Sequence, residues 1–326
     1  MLFVVPGISG SKLSAQGDRI WLNPFRIAFG GISRLAINED DITAPDVFNL
    51  AYGKFMEKFN HDHDVYSSPY DWRLSLSDAA ANLADQIKKE LKDRPQGTER
   101  QALRIVGHSM GGLVVRHMLA NNNDIWEYLL TVPGSRFIMA GTPNNGSYSI
   151  NNLLIGKDGL ARKIAKLDLR NDIDDIVELL SEFPGVATLL PGFGTHDWMQ
   201  ADSWNEFKRD EVKTKTAIPS KSLLNIAREE RRTVLASPLD SKVVSYVAGH
   251  APRTEKDADF EGNDSHKELV YKYTPNGDGR VTWADGIPSG LNTVWYQNTV
   301  HGALLADEKH FKACLLYTSP SPRDRG

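Results

Sequence analysis

Short unbroken apolar runs alternate with longer amphipathic stretches along the first half of the chain. Leu2 to Val5 is such a run and stops at Pro6-Gly7, which predicts a buried strand followed by a turn. Between Ser77 and Leu91 the apolar positions Ala80, Leu83, Ala84, Ile87 and Leu91 share one helical face. Ser77 or Asp78 is placed to cap that helix and Pro95-Gln96-Gly97 to end it. Ala102 to Val106 predicts a second strand running into a glycine-rich turn, and Leu113 to Ala120 reads as a helix. Arg136 to Ala140, ending in Gly141-Thr142-Pro143, and Lys242 to Ala248 predict further strands. Strands that alternate with helices imply an α/β fold, with a mostly parallel sheet covered by helices on both faces.

The alternation breaks from about Ser147 to Ala236. Leu160 to Leu167, Ile173 to Leu180 and Asn205 to Lys213 have helical patterns, and no strand pattern intervenes. The expected organisation is a core in two parts, 1–146 and 237–313, with a helical cap, 147–236, inserted between them. The charge run Arg228-Glu229-Glu230-Arg231-Arg232 reads as a solvated helix face. No solenoid-type repeat is present.

Residues Cys314 to Asp324 resemble the conceptual translation of a sequencing adapter, so 314–326 are set aside as non-native. The single cysteine lies in that string. The rest of the chain therefore offers no disulfide and no thiolate metal ligand. Over 326 residues, 40% apolar composition is enough for a sizeable core. A net charge of −4 gives no basic excess for a phosphate backbone, which argues against nucleic acid as a partner. No apolar run approaches the roughly 20 residues that span a bilayer. The N-terminus lacks the features of a signal peptide, so the expected location is cytoplasmic unless an upstream piece is missing. Oligomeric state leaves no mark on the sequence.

Chemistry enters at Gly107-His108-Ser109-Met110-Gly111, a Gly-x-Ser-x-Gly nucleophile elbow. A serine hydroxyl becomes a nucleophile when a histidine can take its proton. A sharp strand-to-helix turn must lift the side chain clear of the backbone, and glycines on either side remove the Cβ atoms that would clash. The motif is short enough to occur by chance, but here a predicted strand precedes it and a predicted helix follows, as the α/β-hydrolase fold requires. The helix would also point its N-terminal amides at developing negative charge.

An acyl-transfer site needs two oxyanion donors. One is expected from the amide of Met110, the residue after the nucleophile. The other should come from the loop Pro6-Gly7-Ile8-Ser9-Gly10-Ser11, with the amide of Ser9 favoured over that of Ile8. In this fold the acid follows the serine and the histidine comes last. Asp278, between glycines after a strand, is the expected acid, and His301 the expected base. His310 lies in a charged helix-like stretch, while His250 and His266 precede the acid. Thr274, Asn276, Asp278, Gly279 and Asp285 loosely follow a calcium-loop register, but the first and last positions carry the wrong ligands. His61-Asp62-His63-Asp64 reads as a polar surface loop. No metal or cofactor is expected.

Together these residues resemble the lecithin:cholesterol acyltransferase-like family of α/β-hydrolases. The resemblance is carried by Val5-Pro6-Gly7-Ile8-Ser9-Gly10-Ser11-Lys12-Leu13, Pro69-Tyr70-Asp71-Trp72-Arg73, Val106 to Gly112, Gly141-Thr142-Pro143-Asn144-Asn145-Gly146-Ser147, Phe183-Pro184-Gly185 through Leu189-Leu190-Pro191, and Gly277-Asp278-Gly279. It implies a Ser109–Asp278–His301 triad and an oxyanion hole at Ser9 and Met110. It also implies a substrate pocket near Ile8, Tyr70, Trp72 and His108, with Trp72 equally suited to core packing. The activity implied is lipase, phospholipase or O-acyltransferase chemistry on an acyl lipid, with room for peripheral membrane contact. A carboxylesterase for small soluble esters and a non-catalytic binding module remain as alternatives. The chain departs from the family in having no disulfide-forming cysteines, in Arg280 after Gly279, and in stopping soon after His301.

Overall fold

The computed structural model describes residues 1–92, 101–208, 217–263 and 266–311. The helix stop expected at Pro95-Gln96-Gly97 and the segment 314–326 lie outside these residues. A six-stranded sheet runs in the order Val294–Gln297, Val244–Gly249, Arg136–Ala140, Arg104–His108, Leu2–Val5, Val65–Ser67. Every neighbouring pair is parallel.

The strands read as unbroken apolar runs because both faces of the sheet are covered. Successive side chains point to opposite sides, and the core divides accordingly. Phe3, Val5, Ile105, Phe137 and Met139 join the larger cluster, with Leu83 and Leu113 from the helices Leu76–Lys92 and Met110–Asn121. Leu2, Val4, Val106, Ile138 and Ala140 join the smaller one, with Phe55 and Phe59 from the helix Asn49–Phe59. The fold is an α/β-hydrolase fold.

Two features go beyond the sequence reading. Ser11–Ala15, Asp18–Arg19 and Ile42–Val47 form a small antiparallel sheet beside the loop that follows the first strand. Thr254–Asn263 pairs with His266–Thr274 as a second antiparallel sheet. These strands are rich in charge and bury few apolar side chains, so hydrophobic patterning does not reveal them.

From 147 to 236 the described residues contain helices and no strand. Asp158 starts the helix Gly159–Leu167 by accepting from the amides of Leu160 and Ala161. Asp172 and Asp175 form a capping box at Ile173–Ser181. The charge run needs correcting. The helix Lys221–Ala236 packs against Met110–Asn121, so Glu230 and Arg231 are buried while Glu229 and Arg232 face solvent. Arg231 Nη2 donates to the carbonyls of Thr188 and Leu190 at 2.9 and 3.0 Å. Among the described residues no helix is long and apolar enough to cross a membrane.

Candidate active site

Ser109 sits between the strand Arg104–His108 and the helix Met110–Asn121, with φ 53° and ψ −126°. An L residue rarely adopts this conformation, and the surroundings enforce it. The Ser109 amide donates to the carbonyl of Ala140 on the adjacent strand at 2.8 Å. The helix passes so close to the first strand that a Cβ on Gly111 would lie 2.3 Å from the carbonyl oxygen of Val5. The elbow thus requires glycine at that position.

Asp278 and His301 form a pair, and His301 lines the same cavity as Ser109. The Asp278 carboxylate accepts the amides of Arg280 and Val281 through Oδ1, at 3.0 and 2.8 Å. Its Oδ2 lies 2.7 Å from His301 Nδ1. A carboxylate only accepts, so Nδ1 carries the proton and Nε2 is left with a lone pair. The backbone repeats the link, His301 N–H donating to the Asp278 carbonyl at 2.9 Å. Burial pushes the Asp278 carboxyl up, but the interaction with His301 and the hydrogen bonds outweigh it, and its pKa lies below the ordinary value. Gly141, at φ 60°, lets the pair approach: a Cβ there would lie 2.9 Å from both Asp278 Oδ2 and His301 Nδ1.

The expected oxyanion loop is a tight turn. Gly10 N–H donates to the Gly7 carbonyl at 3.0 Å, and Ser9 takes a left-handed φ of 63°. The Ser9 carbonyl is held by Trp21 Nε1–H at 3.1 Å and the Pro6 carbonyl by the Tyr70 hydroxyl at 2.9 Å. Both ends of the turn are therefore fixed from outside it. Met110 opens the helix directly after Ser109 and is buried.

A cavity of about 730 Å³ opens over these groups. Ser9, Ser109 and His301 line it together with Ile8, His108 and apolar side chains including Leu22, Phe48, Ile150, Leu153 and Leu189. Arg280 and Asp158 also reach the cavity, and Arg280 Nη1 donates to Asp158 Oδ2 at 2.7 Å, joining the acid loop to the segment 147–236. Tyr70, expected near the pocket, does not line it, and neither does Trp72, which the sequence left open between pocket and core. Both are buried behind the Pro6–Gly10 turn. The Trp72 ring packs edge-on against Trp21 with centroids 4.9 Å apart, since a side chain of that size is accommodated in the core. The calcium register is spent otherwise, because Asp278 accepts three hydrogen bonds and Asp285 accepts from Thr282 Oγ1 at 2.5 Å. The ring of His63 packs edge-on against Phe59.

The sequence reading missed Tyr52. Its hydroxyl lies 2.9 Å from the Gly7 amide and 3.0 Å from His108 Nδ1. It follows the helical spacing of Phe55 and Phe59, and nothing local distinguishes it from one more core aromatic.

Among solved structures, the Tle4–Tli4 complex contains a similar chain, with a TM-score of 0.65 and 12% identity over 97% of each chain. A lipase of Bacillus licheniformis, BlEst2, aligns with 13% identity over 98% of this chain and 91% of its own, at a TM-score of 0.47. At 12% identity the likeness to the Tle4–Tli4 chain speaks for the fold alone. No curated protein sequence matches the chain. The family pattern described as lecithin:cholesterol acyltransferase matches residues 54–235, more than half of the sequence. The chain belongs to the lecithin:cholesterol acyltransferase family.

Proposed function

We propose that the protein is a serine-dependent lipid-ester hydrolase or O-acyltransferase that works through an acyl-enzyme on Ser109. The family and the fold support hydrolase or acyltransferase chemistry on lipid esters in broad terms. The observation that carries the reading is the convergence of the strained Ser109 and the Asp278–His301 pair on one largely apolar cavity. In this mechanism His301 Nε2 takes the Ser109 proton while Oγ attacks the ester carbonyl. The amides of Ser9 and Met110 receive the oxyanion, one such donor being worth about 3–4 kcal/mol. His301 then protonates the leaving alcohol, Asp278 stabilises the transient cation, and water or an acceptor alcohol releases the acyl group.

In the same reading 147–236 is a cap inserted between the core segments 1–146 and 237–313. The apolar cavity walls suit an acyl chain. Phe25, Phe29, Leu167 and Leu169 are exposed, and Leu169 N–H donates to the Ala28 carbonyl and so ties the two segments together, which supports peripheral contact with a lipid surface.

The test is labelling with a fluorophosphonate, in parallel with Ser109→Ala, followed by product analysis on acyl lipid vesicles with and without an acceptor alcohol. Labelling that Ser109→Ala abolishes is expected, with release of fatty acid or its transfer to the alcohol. A folded wild type that neither labels nor acts on esters would sink the reading. Action confined to short soluble esters would sink its lipid part.

A further inference from the structure

His108 was expected to contact substrate, yet both its ring nitrogens are engaged inside the protein. Nε2 lies 3.1 Å from the backbone carbonyl of His301. A carbonyl only accepts, so Nε2 carries the proton and Nδ1 is an acceptor. The hydrogen bond to Nδ1 must then come from the Tyr52 hydroxyl, at 3.0 Å. The Tyr52 oxygen in turn accepts the Gly7 amide at 2.9 Å. All the polarities follow from one another along this path, with no alternative tautomer.

The path has three stations. Gly7 opens the turn that carries the Ser9 amide, His108 directly precedes Ser109, and His301 carries the proposed base. Tyr52 and His108 are both buried. Burial, followed by the nearby His301, pushes the His108 pKa down to about 3. The ring therefore stays neutral, and the pattern of one donor and one acceptor persists at neutral pH.

Resting on the proposed acyl-enzyme chemistry, we infer that Tyr52 and His108 are positioning residues that hold the oxyanion turn and the His301 loop in register about Ser109. They donate nothing to substrate. They fix two loops that come from opposite ends of the chain, at Gly7 and at His301, and that the nucleophile needs at the same time. A displacement of about 1 Å between reacting groups can cost on the order of 100-fold in rate. The effect should therefore fall on turnover and not on substrate binding.

The experiment compares Tyr52→Phe, His108→Ala and His108→Gln with wild type and Ser109→Ala. It measures kcat and KM on a p-nitrophenyl ester, the rate of fluorophosphonate labelling, and Tm. Tyr52→Phe removes the acceptor for Gly7 and the donor to His108. Gln can still donate to the His301 carbonyl from a position close to that of Nε2, whereas Ala cannot.

Tyr52→Phe and His108→Ala should lose about 10- to 100-fold in kcat and in labelling rate, with KM within about threefold. His108→Gln should recover a large part of what Ala loses. A rise in KM with kcat and labelling unchanged would show that His108 touches substrate and would overturn the inference. So would unchanged kinetics in folded variants, or a Gln variant no better than Ala at equal Tm. A wild type that neither turns over nor labels overturns the acyl-enzyme reading, and this inference with it. An active wild type with unaffected variants overturns the inference alone.

Discussion

His301 is tied to Asp278 twice, by Nδ1 to Oδ2 at 2.7 Å and by its backbone amide to the Asp278 carbonyl at 2.9 Å. Ring and backbone are thus fixed by the same residue, and the double link sets both the tautomer and the direction of Nε2. Asp278→Asn keeps a carbonyl oxygen for the amides of Arg280 and Val281. It can also present an amide N–H to Nδ1, which favours the tautomer with Nε2 protonated. Turnover should fall about 10³- to 10⁴-fold with Tm little changed, as wrong-tautomer variants of such triads behave. Steady-state kinetics and a thermal melt check this. Near-normal turnover in the Asn variant would remove Asp278 from the mechanism.

Gly141 gives a sharper steric prediction. Its φ of 60° is strained for any L side chain, and the absent Cβ would sit 2.9 Å from both Asp278 Oδ2 and His301 Nδ1. Gly141→Ala should cost about 1–3 kcal/mol of stability through backbone strain. It should also lower turnover about 100-fold by pushing the pair apart. Denaturant unfolding and kcat measure the two effects. A variant with lost stability and full activity would mean that the pair tolerates the displacement.

These residues differ in how far the sequence reveals them. Ser109 is legible because its determinants are local: two glycines at fixed spacing, a strand before and a helix after. Asp278 and His301 are separated by 23 positions and lie far from Ser109 in sequence, so they were accessible only through their order along the chain and a glycine-flanked acid. Tyr52 left no trace, since what sets it apart is its contact with His108 and the Gly7 amide, which are distant in sequence. Trp72 was open between wall and core, and the packing of Trp21 and Phe183 around it decides for the core. The run Arg228 to Arg232 misled because charge implies solvation only when no partner helix covers that face.

The Asp158–Arg280 pair makes stability depend on pH in a definite direction. Burial raises the Asp158 carboxyl, but the Arg280 charge and the hydrogen bonds outweigh it and hold the pKa below the ordinary 3.8. A carboxyl depressed in the folded state contributes stability that is present above its unfolded value and lost as pH falls through the folded one. Asp158→Asn should therefore have a lower Tm than wild type at neutral pH. The difference should begin to close near 3.8 and vanish at more acid pH. Melts across the acid range check it. A difference that persists undiminished there would assign the effect to the helix cap and not to the ion pair.

Arg231 and Arg232 are adjacent on one helix and should behave as opposites. Arg232 pairs with Glu229 at 2.6 Å in full view of solvent, and exposed pairs are worth about 0–1 kcal/mol. Arg231 is buried, and burial pushes its pKa down to about 10, so it stays charged at neutral pH. It supplies the Thr188 and Leu190 carbonyls just before Pro191, at the end of the short helix Pro184–Ala187. Leucine fills much of the same volume but gives those carbonyls no donor, and each buried group left without one costs about 1–3 kcal/mol. Arg231→Leu should destabilise the protein by about 2–4 kcal/mol, while Arg232→Leu stays within about 0.5 kcal/mol of wild type. Urea unfolding of the two variants decides. Equal effects would mean that the helix Lys221–Ala236 presents both arginines to solvent, and its packing on the helix that follows Ser109 would have to be redrawn.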